Sequence, residues 1–400
     1  MLSVVSAEKA TEILNSSFSP SELSERVSVE AALSRVLSED VVSNENIPAF
    51  DRSVVDGFAL RAADTYGASE AMPAMLTLRG EILMGERAEG RVNRGECIKI
   101  STGGMLPEGA DSVIMCEYTD SAFDGMCLCL KSTAYGENVS KKGDDVKTGD
   151  VVLKKGSVVT SASVGVLCAL GITHVNCVKK PSVGIISTGD EIIDYSLTPA
   201  PGQIRDINSV LLASVMKERG CDVISYGIVR DKKEDIEKVF GRALSECDLV
   251  LMSGGSSKGE RDMTAEIISA RGELLFHGLA MKPGKPTILG KCDNKAVFGL
   301  PGHPAAAYYV AQRIVVPYIK MLTGNIMKEK TVRCASGTDI PSNHGREEVL
   351  PVRIENGKFY PVFGKSGLVS LLSDSDGYII IDRNREGFFA GEESEVFLTR

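Results

Sequence analysis

The chain has 400 residues, 43% hydrophobic and 25% charged, the balance of an ordinary globular protein of two to four domains. Its formal charge of −9 argues against nucleic acid or anionic membrane as a partner, and no apolar run approaches the roughly 20 residues a membrane helix needs. The opening "MLSVVSAEKATEIL" lacks a basic segment and carries an early glutamate, so it reads as an amphipathic helix of a cytoplasmic protein rather than as a signal peptide.

Residues 1–42 read as helical, with Ser28 capping "VEAALSRVLSED". Pro48 and Gly57 break that pattern in "NENIPAFDRSVVDGFAL". From about 75 to 135, short alternating runs separated by turn residues predict a small antiparallel β domain. Within it, "MCLCL" places Cys127 and Cys129 on one face of a strand. None of the 10 cysteines forms a Cys-x-x-Cys, and none has His at a zinc-finger spacing, so they read as reduced, mostly buried packing residues. A stretch rich in glycine and charge, "ENVSKKGDDVKTGDVVLKKG", leads to an apolar helix ending near Gly171.

From 181 the rhythm becomes strand–helix–strand. The strands are "SVGIIST", "CDVISYGIV", "CDLVLMSGG" and "KAVFGLPG", and "GELLFHGLA" is an extended segment. The helices are "DINSVLLASVMKERG", with Asp206 or Asn208 near its cap, "KKEDIEKVFGRALSE", "MTAEIISARG" and a long one from Pro304. This alternation predicts a parallel sheet covered on both faces. After Gly324 short strands return, which predicts a C-terminal all-β domain. No internal repeat or low-complexity tract appears.

Ligands of parallel α/β sheets sit at the carboxyl ends of the strands. There this sequence delivers Thr188, Gly189, Asp190 and Glu191; then Arg230 and Asp231; then Ser253, Gly254, Gly255, Ser256, Lys258, Gly259 and Asp262; then Pro301, Gly302, His303 and Pro304. "MKPGKP" adds Lys282 and Lys285. Glycine lets backbone N–H groups approach an oxyanion, and lysines add positive charge. Carboxylates beside an anion imply a bridging divalent cation such as Mg²⁺, with Glu191, Asp231 and Asp262 as ligand candidates. Each feature alone has a plainer reading: Gly-Gly as a turn, Asp206 as a helix cap, His303 as a capping or surface residue, Glu260 and Arg261 as a solvated pair. Four such loops on one sheet favour a ligand site. No Walker A motif and no G-x-G-x-x-G is present.

Seven segments, "PAFDRSVVDGFAL", "STGGMLPEGADSVIMCE", "GENVSKKGDDV", "GIISTGDEI", "SGGSSKGERD", "MKPGKP" and "GLPGHPAAA", stand in the order found in the MoeA family of molybdopterin molybdenumtransferases. The chain resembles that family, to which the gephyrin E domain also belongs, from about residue 5 onward. The resemblance implies an elongated, multidomain α/β plus β subunit. Domain I would comprise 1–43 and 140–177 and form a homodimer. Domain II (44–139) would be β-rich and form the cleft, domain III (178–325) would be the parallel α/β molybdopterin-binding domain, and domain IV (326–400) a C-terminal β-barrel-like domain. It also implies cytoplasmic insertion of molybdate into adenylylated molybdopterin, with divalent-cation-dependent cleavage and AMP release, and a molybdopterin adenylyltransferase as upstream partner.

Carried over residue by residue, the resemblance marks Asp56, Thr102, Asp145, Glu191, Asp231, Asp262 and Lys282 as catalytic positions. Pro301 and Pro304 match prolines that shape the molybdopterin pocket, and Arg346 and Ser366 match residues near it. His303 stands where the family has Asn, Gly278 where it often has a second lysine, and Lys258 where it usually has an apolar residue. These departures leave open a tungstate-preferring variant or a non-catalytic pterin-binding scaffold. Restoration of the missing positive charge by Lys258 or His303 is a further expectation.

Overall fold

The computed structural model describes residues 4–123, 125–254, 258–364 and 369–399, with backbone alone at 121–123 and 258–262. The chain divides into two compact units. One comprises Met1–Glu39, Lys155–Thr160 and His174–Arg400, and the other Asp40–Lys154 and Ser161–Thr173.

The larger unit is built on a six-stranded sheet in the order Asp222–Val229, Ser182–Thr188, Leu249–Gly254, Lys295–Leu300, Ile288–Cys292, Gly272–His277. The inner strands are near-continuous apolar runs because both faces are covered. On one face Val183, Ile185, Leu249, Leu251 and Phe298 pack against Leu212, Val215 and Met216 of the helix Asn208–Glu218. On the other, Ile186, Val250, Met252 and Val297 meet Ile236, Phe240 and Leu244 of the helix Lys233–Glu246.

The sheet departs from the wholly parallel expectation. Its first four strands are parallel and its last two antiparallel. The cause is local: Asp293 and Asn294, at φ 50° and 60°, make a two-residue turn that folds Ile288–Cys292 back onto Lys295–Leu300. The sequence reading had no strand at 288–292.

A second difference lies near the N-terminus. Ala7–Ser17 is helical, capped by the Ser6 hydroxyl accepting from the Lys9 N–H at 3.2 Å. Of the predicted helix after Ser28 only a single 3-10 turn, Glu30–Ala32, forms, and the residues before it, Ser24–Ser28, are a strand paired with His174–Val178. Helical spacing of apolar residues lost there to long-range pairing: the backbone N–H groups of Ser34, Leu37 and Ser38 donate to Val159, Ser157 and Asn176. Arg35, 8% exposed, donates to the Val178 carbonyl at 2.9 Å.

The long helix expected from Pro304 runs as Pro304–Val310, a π-helical turn Ala311–Val315, and Val316–Thr323. Pro317 lacks the N–H that would continue an α-helical ladder, and the π turn lies just before it. Gly324 ends the helix at φ 63°, the left-handed conformation that glycine reaches without a steric penalty.

Past it, strands Thr331–Ser336, Glu347–Glu355, Lys358–Pro361, Gly377–Ile381 and Glu393–Leu398 close on themselves, each paired to two others, into a five-stranded barrel. Val352, Phe359, Ile379, Ile381 and Val396 fill it. Asn356-Gly357, both at positive φ, turns one of its hairpins.

The smaller unit holds a six-stranded sheet ordered Ser112–Met115, Gly57–Leu60, Glu96–Ile100, Ala74–Ile82, Met126–Cys129, Thr119–Phe123. It is antiparallel, as expected, except where Ala74–Ile82 runs parallel to Glu96–Ile100. Cys127 and Cys129 both point inward and pack with Cys97, Leu76 and Ile114.

Candidate functional site

Three loops converge at the carboxyl ends of the parallel strands around a cavity of about 320 Å³. Ser187 is the penultimate residue of the first strand, Ser253 and Gly254 end the second, and Gly302, His303 and Pro304 follow the third. Glu191, Ile192, Ile204, Arg205 and the helix start Asp206–Asn208 complete the wall, so an arginine and a glutamate both face the cavity. Pro301 lines a small adjoining hollow with Thr188 and Gly254.

Asn208 is the knot of this arrangement. Its buried Nδ2 donates to the Ser253 Oγ at 2.8 Å and to the carbonyls of Gly302 at 2.9 Å and Pro301 at 3.4 Å. Asp206 caps the helix, accepting from the Ser209 N–H at 3.1 Å and its hydroxyl at 2.6 Å. Gly254 has φ 148°, and a Cβ there would lie 2.2 Å from the Thr188 carbonyl oxygen, so the glycine is required by the close approach of two strand ends.

Asp231 and Asp190 sit together beyond the next strand. The Asp190 N–H donates to Asp231 Oδ2 at 3.2 Å, and the Asp231 N–H to Asp190 Oδ1 at 3.4 Å. Two carboxylates held side by side by backbone donors suit a cation that takes its remaining ligands from substrate and water. No group of three or more metal-ligating side chains forms among the described residues, and Asp262's side chain lies outside them. Asp190 was not singled out in sequence as a ligand, although "TGDE" carries it beside Glu191.

Lys282 is exposed and lies on the barrel edge, where Met281–Lys282 pairs in parallel with Glu347 and Glu348. Its Nζ is 2.7 Å from Glu348 Oε1, and Glu348 also accepts from the Ser342 hydroxyl at 2.6 Å. The lysine expected to meet an anion is therefore held by a carboxylate. Lys285 is exposed, and Arg346 is exposed immediately before the barrel strand Glu347–Glu355. Gly278 has φ 117°, and a Cβ there would lie 2.9 Å from Val4 Cγ2. The N-terminal segment, bridged through Val5 to Leu279, occupies the space a lysine stem would need.

In the smaller unit, Asp56 and Thr102 meet. The Asp56 carboxylate accepts from the Thr102 N–H at 2.7 Å and its hydroxyl at 3.0 Å, and these two donors, the backbone one foremost, lower its pKa from the ordinary 3.8. Asp56 is thus ionised at neutral pH. The neighbouring Gly57 has no alternative, since a Cβ there would lie 1.9 Å from the Ile114 carbonyl oxygen. Asp145 lies in an exposed turn, its N–H bonded to the Ile47 carbonyl at 3.0 Å.

Gly255, Ser256 and Ser366 lie outside the described residues, as do the side chains of Lys258 and Asp262, while Gly259 is described by its helical backbone alone. The expected charge restoration by Lys258 therefore lies outside them too. His303 lines the cavity. Sequence reading missed the ties made by Asn208 and the lining role of Ser187. The only signal for Asn208 was its place at a helix start, which suggested a cap.

Fold and cavity define a multidomain protein in which a ligand-binding α/β domain is continued by a closed β-barrel. Residues 5–171 match the MoeA N-terminal region (domains I and II), residues 184–321 match a family described as "Probable molybdopterin binding domain", and residues 333–399 match the MoeA C-terminal region (domain IV). The chain is 35% identical to a protein of Methanocaldococcus jannaschii described as "Putative molybdopterin biosynthesis protein" over 94% of its length and 92% of the relative's. It is 32% identical to the molybdopterin molybdenumtransferase of Haemophilus influenzae over 92% of both. A crystal structure of a molybdopterin biosynthesis MoeA protein from Pyrococcus horikoshii OT3 superposes with a TM-score of 0.90 at 34% identity, covering 99% of this chain and 100% of that one. The chain belongs to the MoeA family.

Proposed function

We propose that this chain is a molybdopterin molybdenumtransferase of molybdenum cofactor biosynthesis, taking adenylylated molybdopterin and molybdate as substrates and releasing AMP. Membership of the MoeA family supports the enzyme class, and the cavity that Asn208 assembles at the strand ends is the observation that carries the reading to this molecule. Ser253, Gly254, Pro301, Gly302, His303 and Pro304 would hold the pterin end of the substrate, with Gly255, Ser256, Gly259, Lys285 and Ser366 completing the binding set. Asp231, with Asp190 beside it, would hold Mg²⁺ or another divalent cation, joined by Glu191 and Asp262. When bound, that cation neutralises the pyrophosphate and polarises phosphorus.

Lys282 would exchange Glu348 for substrate anion and stabilise charge on the leaving group. No Ser-His-Asp or Cys-His nucleophile set was apparent in the sequence, which supports direct displacement by water or oxyanion. Asp56, Thr102 and Asp145 would act from a cleft completed across a homodimer formed by domain I (1–43 and 140–177). Domain II would then span 44–139, domain III 178–325 and domain IV 326–400. A cytoplasmic setting and substrate delivery by a molybdopterin adenylyltransferase complete the proposal.

A scaffold that binds pterin without chemistry is the second reading, favoured by Gly278 and by the Lys282–Glu348 pair. AMP release from adenylylated molybdopterin with Mg²⁺, with and without molybdate and with tungstate in parallel, separates the two. Oxyanion-dependent release is expected. Tight pterin binding with no AMP would move the assignment to the scaffold.

A further inference from the structure

A second cavity, of about 200 Å³, lies at the opposite end of the same parallel strands. Pro181 precedes the strand Ser182–Thr188, Asp248 precedes Leu249–Gly254 and Lys295 opens Lys295–Leu300, and all three residues line it. A strand of six residues spans about 20 Å, so the full height of the sheet separates this cavity from the one at the carboxyl ends. Nothing in the proposed transferase chemistry uses it.

Its floor is aromatic. Phe18 and Tyr318 are 8% and 3% exposed and meet edge to face, with ring centroids 5.3 Å apart. Both rings are held in place. Tyr318 packs in the same way on Phe298 at 5.7 Å, and the Lys291 ammonium sits 5.5 Å over the Phe18 ring while donating to the Ser17 carbonyl at 2.8 Å.

The rim is basic. Lys179, Lys180 and Lys295 line the cavity against one carboxylate, Asp248. That carboxylate is engaged, since its Oδ2 accepts from the Ser182 N–H at 2.8 Å and the Ser182 hydroxyl at 2.7 Å. Lys295 donates to the Leu244 carbonyl at 2.6 Å, and Lys180 stands 3.9 Å from Asp222, beyond hydrogen-bond distance. The Lys179 side chain has no hydrogen bond or ion pair among the described residues, while its backbone N–H donates to the Leu23 carbonyl at 2.9 Å. Lysine stems commonly lie over apolar surface with the ammonium in water. That plain reading accounts for a single lysine more readily than for three around a fixed aromatic floor. The volume has room for a ring, since about 150 Å³ suffices for benzene in an apolar cavity. Ring surface inside and ammonium groups at the rim suit a flat apolar body that carries a negative group.

We propose that this cavity is a second ligand site, which takes a small aromatic carboxylate or phosphate, its ring against Phe18 and Tyr318 and its anionic group on Lys179 and Lys180. The site is independent of the transferase reading and holds whether or not the chain releases AMP.

The test is titration calorimetry of the full chain at low ionic strength, because salt screens exposed lysines. The probes are benzoate, phenyl phosphate, inorganic phosphate and the cation benzamidine, and the variant is Lys179→Ala/Lys180→Ala. Melting temperature and AMP release are measured on the same preparations. At least one aromatic anion is expected to bind the wild type at one site, at least tenfold tighter than inorganic phosphate or benzamidine. The variant is expected to bind it at least tenfold more weakly, with melting temperature and AMP release unchanged. Which aromatic anion binds tells a carboxylate ligand from a phosphate. Lysine acetylation read by mass spectrometry locates the site without a variant: the bound probe is expected to protect Lys179 and Lys180 and to leave Lys282 and Lys285 as reactive as before. The inference is overturned if neither aromatic anion binds, if binding is unaltered in the variant, or if inorganic phosphate binds equally well, since the ring would then contribute nothing. Protection of Lys282 or Lys285 instead would also overturn it, by moving the probe to the substrate site. Aromatic-anion binding in a wild-type chain that releases no AMP would overturn the proposed function and leave this inference standing.

Discussion

Lys282 and Glu348 show how one side chain can be present at a site and still be unavailable to it. The ammonium lies 2.7 Å from a carboxylate that is itself mostly buried and anchored by Ser342. An incoming phosphate competes with Glu348 for the same positive charge, and exposure of Lys282 lets salt screen both interactions. Glu348→Gln keeps an acceptor for Ser342 and releases the lysine. Pyrophosphate affinity, measured by calorimetry at low ionic strength, is expected to rise several-fold in this variant and to lose the gain in high salt. An unchanged affinity would remove Lys282 from the anion site. The sequence motif "MKPGKP" showed the lysine and its place after a strand, but the paired carboxylate lies 66 positions later in the chain and only the barrel brings it back.

Among the elements, the ends of the strands Ser182–Thr188 and Leu249–Gly254 carry the site because they run so close together. A Cβ on Gly254 would fall 2.2 Å from the Thr188 carbonyl and 2.3 Å from its hydroxyl oxygen, and its φ of 148° is a conformation that L side chains rarely adopt. Gly254→Ala is expected to destabilise the chain by roughly 1–3 kcal/mol through overpacking and backbone strain, read as a lowered midpoint in urea with an unchanged slope. AMP release by the folded fraction should fall at least tenfold, because the second strand end and Ser253 must shift away from Asn208. Full activity would show that the loop's position does not matter to the chemistry. Strand and helix existence here was legible from apolar runs and turn residues. The antiparallel extension was not, because a two-residue Asp293-Asn294 turn decides it and no run of apolar residues announces strand direction. Ser28–Asp40 failed for the converse reason: its helical spacing was real, but pairing with distant backbone groups outcompeted a local helix.

At the scale of the whole molecule, the ten cysteines report on packing in both units. Eight are buried, and Cys116 and Cys168 alone are exposed. Burial pushes the Cys221 thiol up to about 12, so it stays a protonated packing group at neutral pH. Iodoacetamide labelling of the native chain followed by mass spectrometry is expected to modify two cysteines quickly and the other eight only after denaturation. Fast labelling of more than two would show that a core opens readily. The expectation of reduced, buried cysteines came from their lack of pairing motifs, and the two exceptions could not be told apart in sequence because each directly follows an apolar run, Val113–Met115 before Cys116 and Val166–Leu167 before Cys168.

Amino-acid order alone determined the family resemblance, the α/β character of the middle of the chain and the loops that bear the site, because glycine, proline and apolar periodicity act over a few residues. Tertiary structure decided the rest. It closed five C-terminal strands into a barrel, paired Lys282 with Glu348, set Asp190 beside Asp231, and turned Asn208 from a supposed helix cap into the tie between two strand ends. Each of these depends on groups far apart in sequence that meet only when the sheets are complete, and spacing along the chain carries no record of that distance.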